Sequence, residues 1–72
     1  MLIYLTKGDG PEKEYHAERS TAKYLELAVV LGFDPAVDEP TLSVQVDGGR
    51  TVLVTPADEM SLVDGMQVSI KW

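Results

Sequence analysis

Ser20-Thr21-Ala22-Lys23-Tyr24-Leu25-Glu26-Leu27-Ala28-Val29-Val30-Leu31-Gly32 is the one convincing helical stretch of the chain, and its place between two strand-rich segments decides the fold class. Ser or Thr at its front offers a side-chain oxygen to the first free amide N–H groups, and Gly at its back accepts the left-handed backbone that ends many helices. The spacing predicts a helix over Ala22 to Leu31, about ten residues. Ala22, Leu25 and Val29, with Ala28 alongside, form its apolar stripe, and Lys23 and Glu26 lie outside it. The oily run Leu27 to Leu31 implies cover on more than one side of the helix.

Upstream, Leu2 to Thr6 is rich in β-branched and aromatic residues and stops at Gly8-Asp9-Gly10-Pro11, a turn composition. Glu12 to Glu18 then reads as the returning arm of a hairpin, with Tyr15 and Ala17 on one side and His16 and the carboxylates on the other. Downstream, Phe33-Asp34-Pro35 leaves the helix, and Pro35 and Pro40 bracket a linker. Leu42, Val44 and Val46 alternate with Ser43, Gln45 and Asp47 as in a half-buried strand. Asp47-Gly48-Gly49 supplies a turn, and Thr51 to Val54 returns as the partner strand. Thr55-Pro56-Ala57-Asp58 breaks that strand and Leu62-Val63-Asp64-Gly65 makes another turn. Met66 to Trp72 closes as a strand, with Val68 and Ile70 on one face and Gln67, Ser69 and Lys71 on the other.

The order is hairpin, helix, hairpin, final strand. It predicts a single α+β domain over residues 1–72, order ββαββ(β), with a mixed sheet of four or five strands packed on one α-helix. The first and last strands are the expected central pair. Ile3 and Leu5 would meet Val68 and Ile70 beneath Leu25 and Val29, and Tyr4, Ser69 and Lys71 would look out from the opposite face.

Composition narrows the function classes. The chain has 72 residues and no cysteine, which leaves no disulfide staple, thiolate metal site or cysteine nucleophile. Twelve acidic residues against six basic give a net charge of −6, which opposes nucleic-acid phosphates and anionic lipid surfaces. The apolar opening Met1 to Leu5 is too short for a signal core or a membrane span. A cytoplasmic protein without nucleic-acid or membrane partners is the expectation.

The chemistry-bearing residues form no catalytic constellation. His16, the only histidine, has Glu14, Glu18 and Arg19 as neighbours in sequence and reads as a solvent-facing strand residue. Asp34, Asp38 and Glu39 lack the ladder spacing of a calcium loop. Gly8-Asp9-Gly10 precedes a strand, so no helix end aims at a phosphate there. Ser20 and Thr21 read as helix caps, not nucleophiles. No enzyme activity, metal or cofactor is expected.

The opening Met1-Leu2-Ile3-Tyr4-Leu5, the helix exit Leu31-Gly32-Phe33-Asp34-Pro35, the strand-turn Val44-Gln45-Val46-Asp47-Gly48 and the closing Leu62-Val63-Asp64-Gly65-Met66-Gln67-Val68-Ser69-Ile70 follow one another in a familiar order. In that order they resemble the ubiquitin-like β-grasp superfamily, and within it the ThiS/MoaD-like sulfur-carrier group, whose final segment runs Leu-x-Asp-Gly-Asp-x-Val-x-Ile. Met66 stands where that pattern has its second Asp. The resemblance implies a β-grasp fold. The group's carriers end in a flexible Gly-Gly that an adenylating enzyme activates, whereas this chain ends Ile70-Lys71-Trp72.

Two expectations follow. The first is a non-catalytic ubiquitin-like interaction module that binds a partner protein through its open sheet face, with Tyr4, Gln45, Ser69, Lys71 and Trp72 as the candidate contact residues. Tyr4 is the aromatic anchor there, or else simply covers the sheet. Trp72 extends the Val68, Ile70 alternation, so it reads as a cap on the core edge or as a contact to another chain. The second is a sulfur carrier of thiamine or molybdopterin biosynthesis whose Gly-Gly tail is missing from this chain, with an adenylating enzyme and a biosynthetic enzyme as partners. The free sheet edges allow either a monomer or an edge-paired homodimer.

Overall fold

The computed structural model describes residues 1–72. It contains β1 (Leu2–Lys7), β2 (Lys13–His16), β3 (Thr21–Lys23), α1 (Tyr24–Val30), β4 (Leu42–Val46), β5 (Thr51–Val54), β6 (Glu59–Ser61) and β7 (Gln67–Lys71). The architecture is α+β: one helix, a mixed five-stranded sheet in the order β2-β1-β7-β4-β5, and a two-stranded sheet of β3 and β6. No helix is long and apolar enough to cross a membrane.

The alternation that marks the strands also sets the sheet's two faces. β7 is the middle strand; it runs parallel to β1, with Leu5 opposite Val68, and antiparallel to β4, with Val44 opposite Ile70. Ile3, Leu5, Leu42, Val44, Val68 and Ile70 are buried and share a single core cluster with Leu27, Ala28 and Leu31 of the helical segment. The intervening residues Tyr4, Ser43, Gln45 and Ser69 face the other way and stay half-exposed. The core contains no polar or charged side chain, so every group able to do chemistry lies at or near the surface.

The helix differs from the expectation in length and in the face it buries. It covers Tyr24–Val30, seven residues, and Ser20 and Thr21 do not cap it. Thr21–Lys23 is instead strand β3, paired antiparallel with β6 so that Ala22 lies opposite Met60, and both are buried. The first helical amides are satisfied from that same region: Tyr24 N–H donates to the Asp58 carbonyl and Leu25 N–H to the Pro56 carbonyl, each at 3.0 Å. A tertiary strand pairing thus takes the residues that local capping preferences would give to a helix.

The later start rotates the buried stripe. Leu27, Ala28 and Leu31 are buried and Tyr24 packs against them, a spacing of i, i+3, i+4, i+7. Leu25 is only partly buried, and Val29 is 50% exposed. Val30 is exposed too, so the oily end is covered on one side only. The predicted end holds: Gly32 has φ of +101°, its N–H donates to the Val29 carbonyl at 3.0 Å, and Phe33 N–H reaches back to the Ala28 carbonyl at 3.0 Å. These two bonds satisfy carbonyls that the helix would otherwise leave open and turn Phe33 into the core.

Candidate functional site

The face of the sheet away from the helix carries the candidate contact residues, and three adjacent strands position them. Tyr4 comes from β1, Ser69 and Lys71 from β7, and Gln45 from β4. All four line a shallow groove of about 250 Å³, floored also by Thr6 and Gln67. Gln45, Ser69 and Lys71 continue into a second hollow beside Ser43 and Thr51, so the groove extends toward β5.

Hydrogen bonds fix several of these side chains. Gln45 Nε2 donates to the Gly49 carbonyl at 2.8 Å, and Ser69 Oγ to the Gly8 carbonyl at 3.3 Å. Gly8 has φ of +58° and lies against the Lys71 stem; a methyl group there would sit 3.1 Å from Lys71 Cε. The missing side chain at Gly8 therefore lets the Lys71 stem lie across the β1–β2 turn. Lys71 is the only cation lining the groove, and Asp9 and Glu12 supply carboxylates at its β1–β2 side.

Trp72 lies apart from the other four, on the core side of β7. Its ring meets Phe33 edge to face, with centroids 5.3 Å apart and planes at 84°, and Lys7 Nζ lies 4.2 Å from its centroid. This is the core-rim position, where the indole closes the end of the core and the Lys7 ammonium covers its outer face. Thr6, Gln67, Asp9 and Glu12 join the groove although the sequence reading did not single them out. The first two follow from the same alternation as Tyr4 and Ser69; the acidic pair depends on how the turn folds over.

The remaining candidates have structural surroundings. His16 is exposed on β2, opposite Leu2. Asp34 Oδ1 accepts from Ala36 N–H at 2.9 Å and Asp38 Oδ2 from Asp34 N–H at 2.8 Å, which shapes the loop after the helix. Gly10 N–H closes its turn on the Lys7 carbonyl at 2.9 Å. No three His, Asp or Glu side chains converge as a metal site would require.

Much of the acidity has a structural use. Of the twelve carboxylates, those of Glu26, Asp34, Asp38, Asp47, Asp58 and Asp64 each accept a backbone N–H. Half of the acidic residues thus hold backbone amides, those of Glu26, Asp34, Asp38 and Asp58 within their own turn or helix start and those of Asp47 and Asp64 at the start of a distant strand, and the net charge of −6 is not in itself the signature of a binding site.

No protein-family model matches the chain, and neither a curated protein nor a solved structure matches it.

Proposed function

We propose that this chain is a non-catalytic, ubiquitin-like β-grasp interaction module, related to the sulfur carriers, which docks a partner protein on its open sheet face. The observation that carries the reading is the grouping of Tyr4, Gln45, Ser69 and Lys71 from three neighbouring strands along one groove. The α+β layout, with a mixed sheet and a single helix on one face, is compatible with that fold. Tyr4 is the anchor, since an aromatic ring presents much contact area at little entropic cost. Lys71 and the second Gln45 amide hydrogen supply donors, so the partner offers carbonyls or a carboxylate in return, while Ser69 Oγ, whose hydrogen goes to the Gly8 carbonyl, is left to accept.

Affinity capture from the source cells with wild-type protein, Tyr4→Ala and Lys71→Glu tests this reading, with circular dichroism confirming that both variants fold. Each substitution is expected to reduce capture about tenfold, the effect of losing about 1.4 kcal/mol at a contact. Unchanged capture by both variants places the docking site elsewhere.

A further inference from the structure

Asp-Gly occurs three times in the chain, at Asp9-Gly10, Asp47-Gly48 and Asp64-Gly65, and all three aspartates are exposed. An aspartate before glycine is chemically labile, because no side chain shields the glycine nitrogen from the neighbouring carboxyl carbon. The nitrogen attacks that carbon, water leaves, and a succinimide ring forms. Water then opens the ring at either carbonyl and returns aspartate or isoaspartate. The sum is an isomerisation that needs no oxidant, reductant or second reactant. The attack requires a carboxyl group free to turn back on its own chain and a glycine N–H released from any acceptor.

Two of the three sites are held from that geometry by distant strands. Asp47 donates its N–H to the Gln67 carbonyl at 2.8 Å and accepts the Gln67 N–H on Oδ1, also at 2.8 Å. Asp64 Oδ1 accepts the Leu2 N–H at 2.7 Å, and the Gly65 N–H that would attack is bound to the Leu2 carbonyl at 2.7 Å. Each pair of bonds ties its turn to β7 or β1, so reaction requires that tie to part. Asp9 differs. Its carboxylate is not among the six that hold backbone amides, and the ion pair of the chain joins Arg19 to Glu26 instead. Gly10 N–H is bound to the Lys7 carbonyl at 2.9 Å, a bond closed within the turn itself. A local opening of that turn frees the nitrogen while Gly8 N–H stays on the Ile70 carbonyl and the sheet stays whole.

We propose that Asp9 is the isomerisation site of the folded chain, where isoaspartate accumulates while Asp47 and Asp64 are preserved. The product adds one carbon to the main chain of the β1–β2 turn and moves the free carboxylate onto the α-carbon. That turn carries Gly8, against which the Lys71 stem lies, so the change falls at one side of the open-face groove. The isomerisation is independent of what that groove binds.

Prolonged incubation of the folded chain at neutral pH, beside a sample held in guanidinium chloride, tests the assignment. Trypsin then separates the three sites into peptides 8–13, 24–50 and 51–71, and mass-spectrometric fragmentation distinguishes isoaspartate from aspartate in each. Methyl transfer from S-adenosylmethionine by an isoaspartate-specific methyltransferase counts the product independently. In the folded sample isoaspartate is expected at Asp9 about tenfold faster than at Asp47 or Asp64, the rate equivalent of about one hydrogen bond to a charged group. In guanidinium chloride the three rates should converge. Asp9→Glu should abolish most of the methyl uptake of the folded chain, with circular dichroism verifying the fold. Three results overturn the proposal: accumulation at Asp47 or Asp64 as fast as at Asp9 in the folded sample, an Asp9 that stays intact there after the denatured sample has reacted, or the same preference for Asp9 in both samples, which would mean that the fold protects nothing.

Discussion

Asp64 holds the backbone of Leu2 across 62 residues: its Oδ1 accepts the Leu2 N–H at 2.7 Å, while the neighbouring Gly65 N–H donates to the Leu2 carbonyl, also at 2.7 Å. The turn before β7 therefore grips the start of β1 on both its donor and its acceptor. Asp64→Ala removes the charged acceptor and leaves an amide without its partner. The expected cost is about 1–2 kcal/mol. For a domain of this size that lowers the melting temperature by roughly 4–15 °C, read from thermal unfolding followed by circular dichroism.

Gly32 is expected to resist substitution for a conformational reason, not a steric one. An added methyl group would meet nothing within 4 Å, yet the φ of +101° is one that L side chains rarely adopt. Gly32→Ala should cost about 1–2 kcal/mol in urea unfolding, with an unchanged m-value. A neutral Gly32→Ala would mean that the helix ends by some other geometry.

The buried face of α1 makes a sharp contrast between two neighbouring aliphatic positions. Leu27 is fully buried and Val29 half exposed. Leu27→Ala should lose about 2–5 kcal/mol, whereas Val29→Ala should stay within about 0.5 kcal/mol of wild type. Chemical denaturation of the two variants decides between this face and the one that the bare sequence favours.

Trp72 and Phe33 are expected to be energetically coupled. The edge-to-face geometry implies a coupling of about 0.5–1.5 kcal/mol in a double-mutant cycle of Phe33→Leu and Trp72→Leu. Trp72 is the only tryptophan, so its fluorescence follows the end of the core. A coupling near zero would mean that the two rings do not meet in solution.

Much of the sheet is readable because strand alternation is a local property. Leu42, Val44 and Val46 set against Ser43 and Gln45 announce which face each will take, and the same logic brings Tyr4, Ser69 and Lys71 to the open side. The β3–β6 pair is not readable in this way. Thr21-Ala22-Lys23 and Glu59-Met60-Ser61 are too short to show a period, and Thr21 and Ala22 suit a helix start equally well. Only the meeting of Ala22 with Met60 across the fold makes them strands, and that shift of the helix start also moves the buried stripe from Leu25 and Val29 to Leu27, Ala28 and Leu31. The contacts of Trp72 with Phe33 and Lys7 are likewise long-range, so the alternation places the indole on the core side without naming its neighbours.

The middle position of β7 has a consequence for how the protein is made. A growing chain on the ribosome can form the β1–β2 and β4–β5 hairpins early, since each is local. The strand that joins them is synthesised after both, and until it emerges neither hairpin has a neighbour across the sheet. Ile3, Leu5, Leu42 and Val44 thus lack Val68 and Ile70 through most of synthesis, and closing the β1–β7 pair carries the loop entropy of nearly the whole chain. The five-stranded sheet is therefore completed only once β7 has left the ribosome, whichever hairpins form before it.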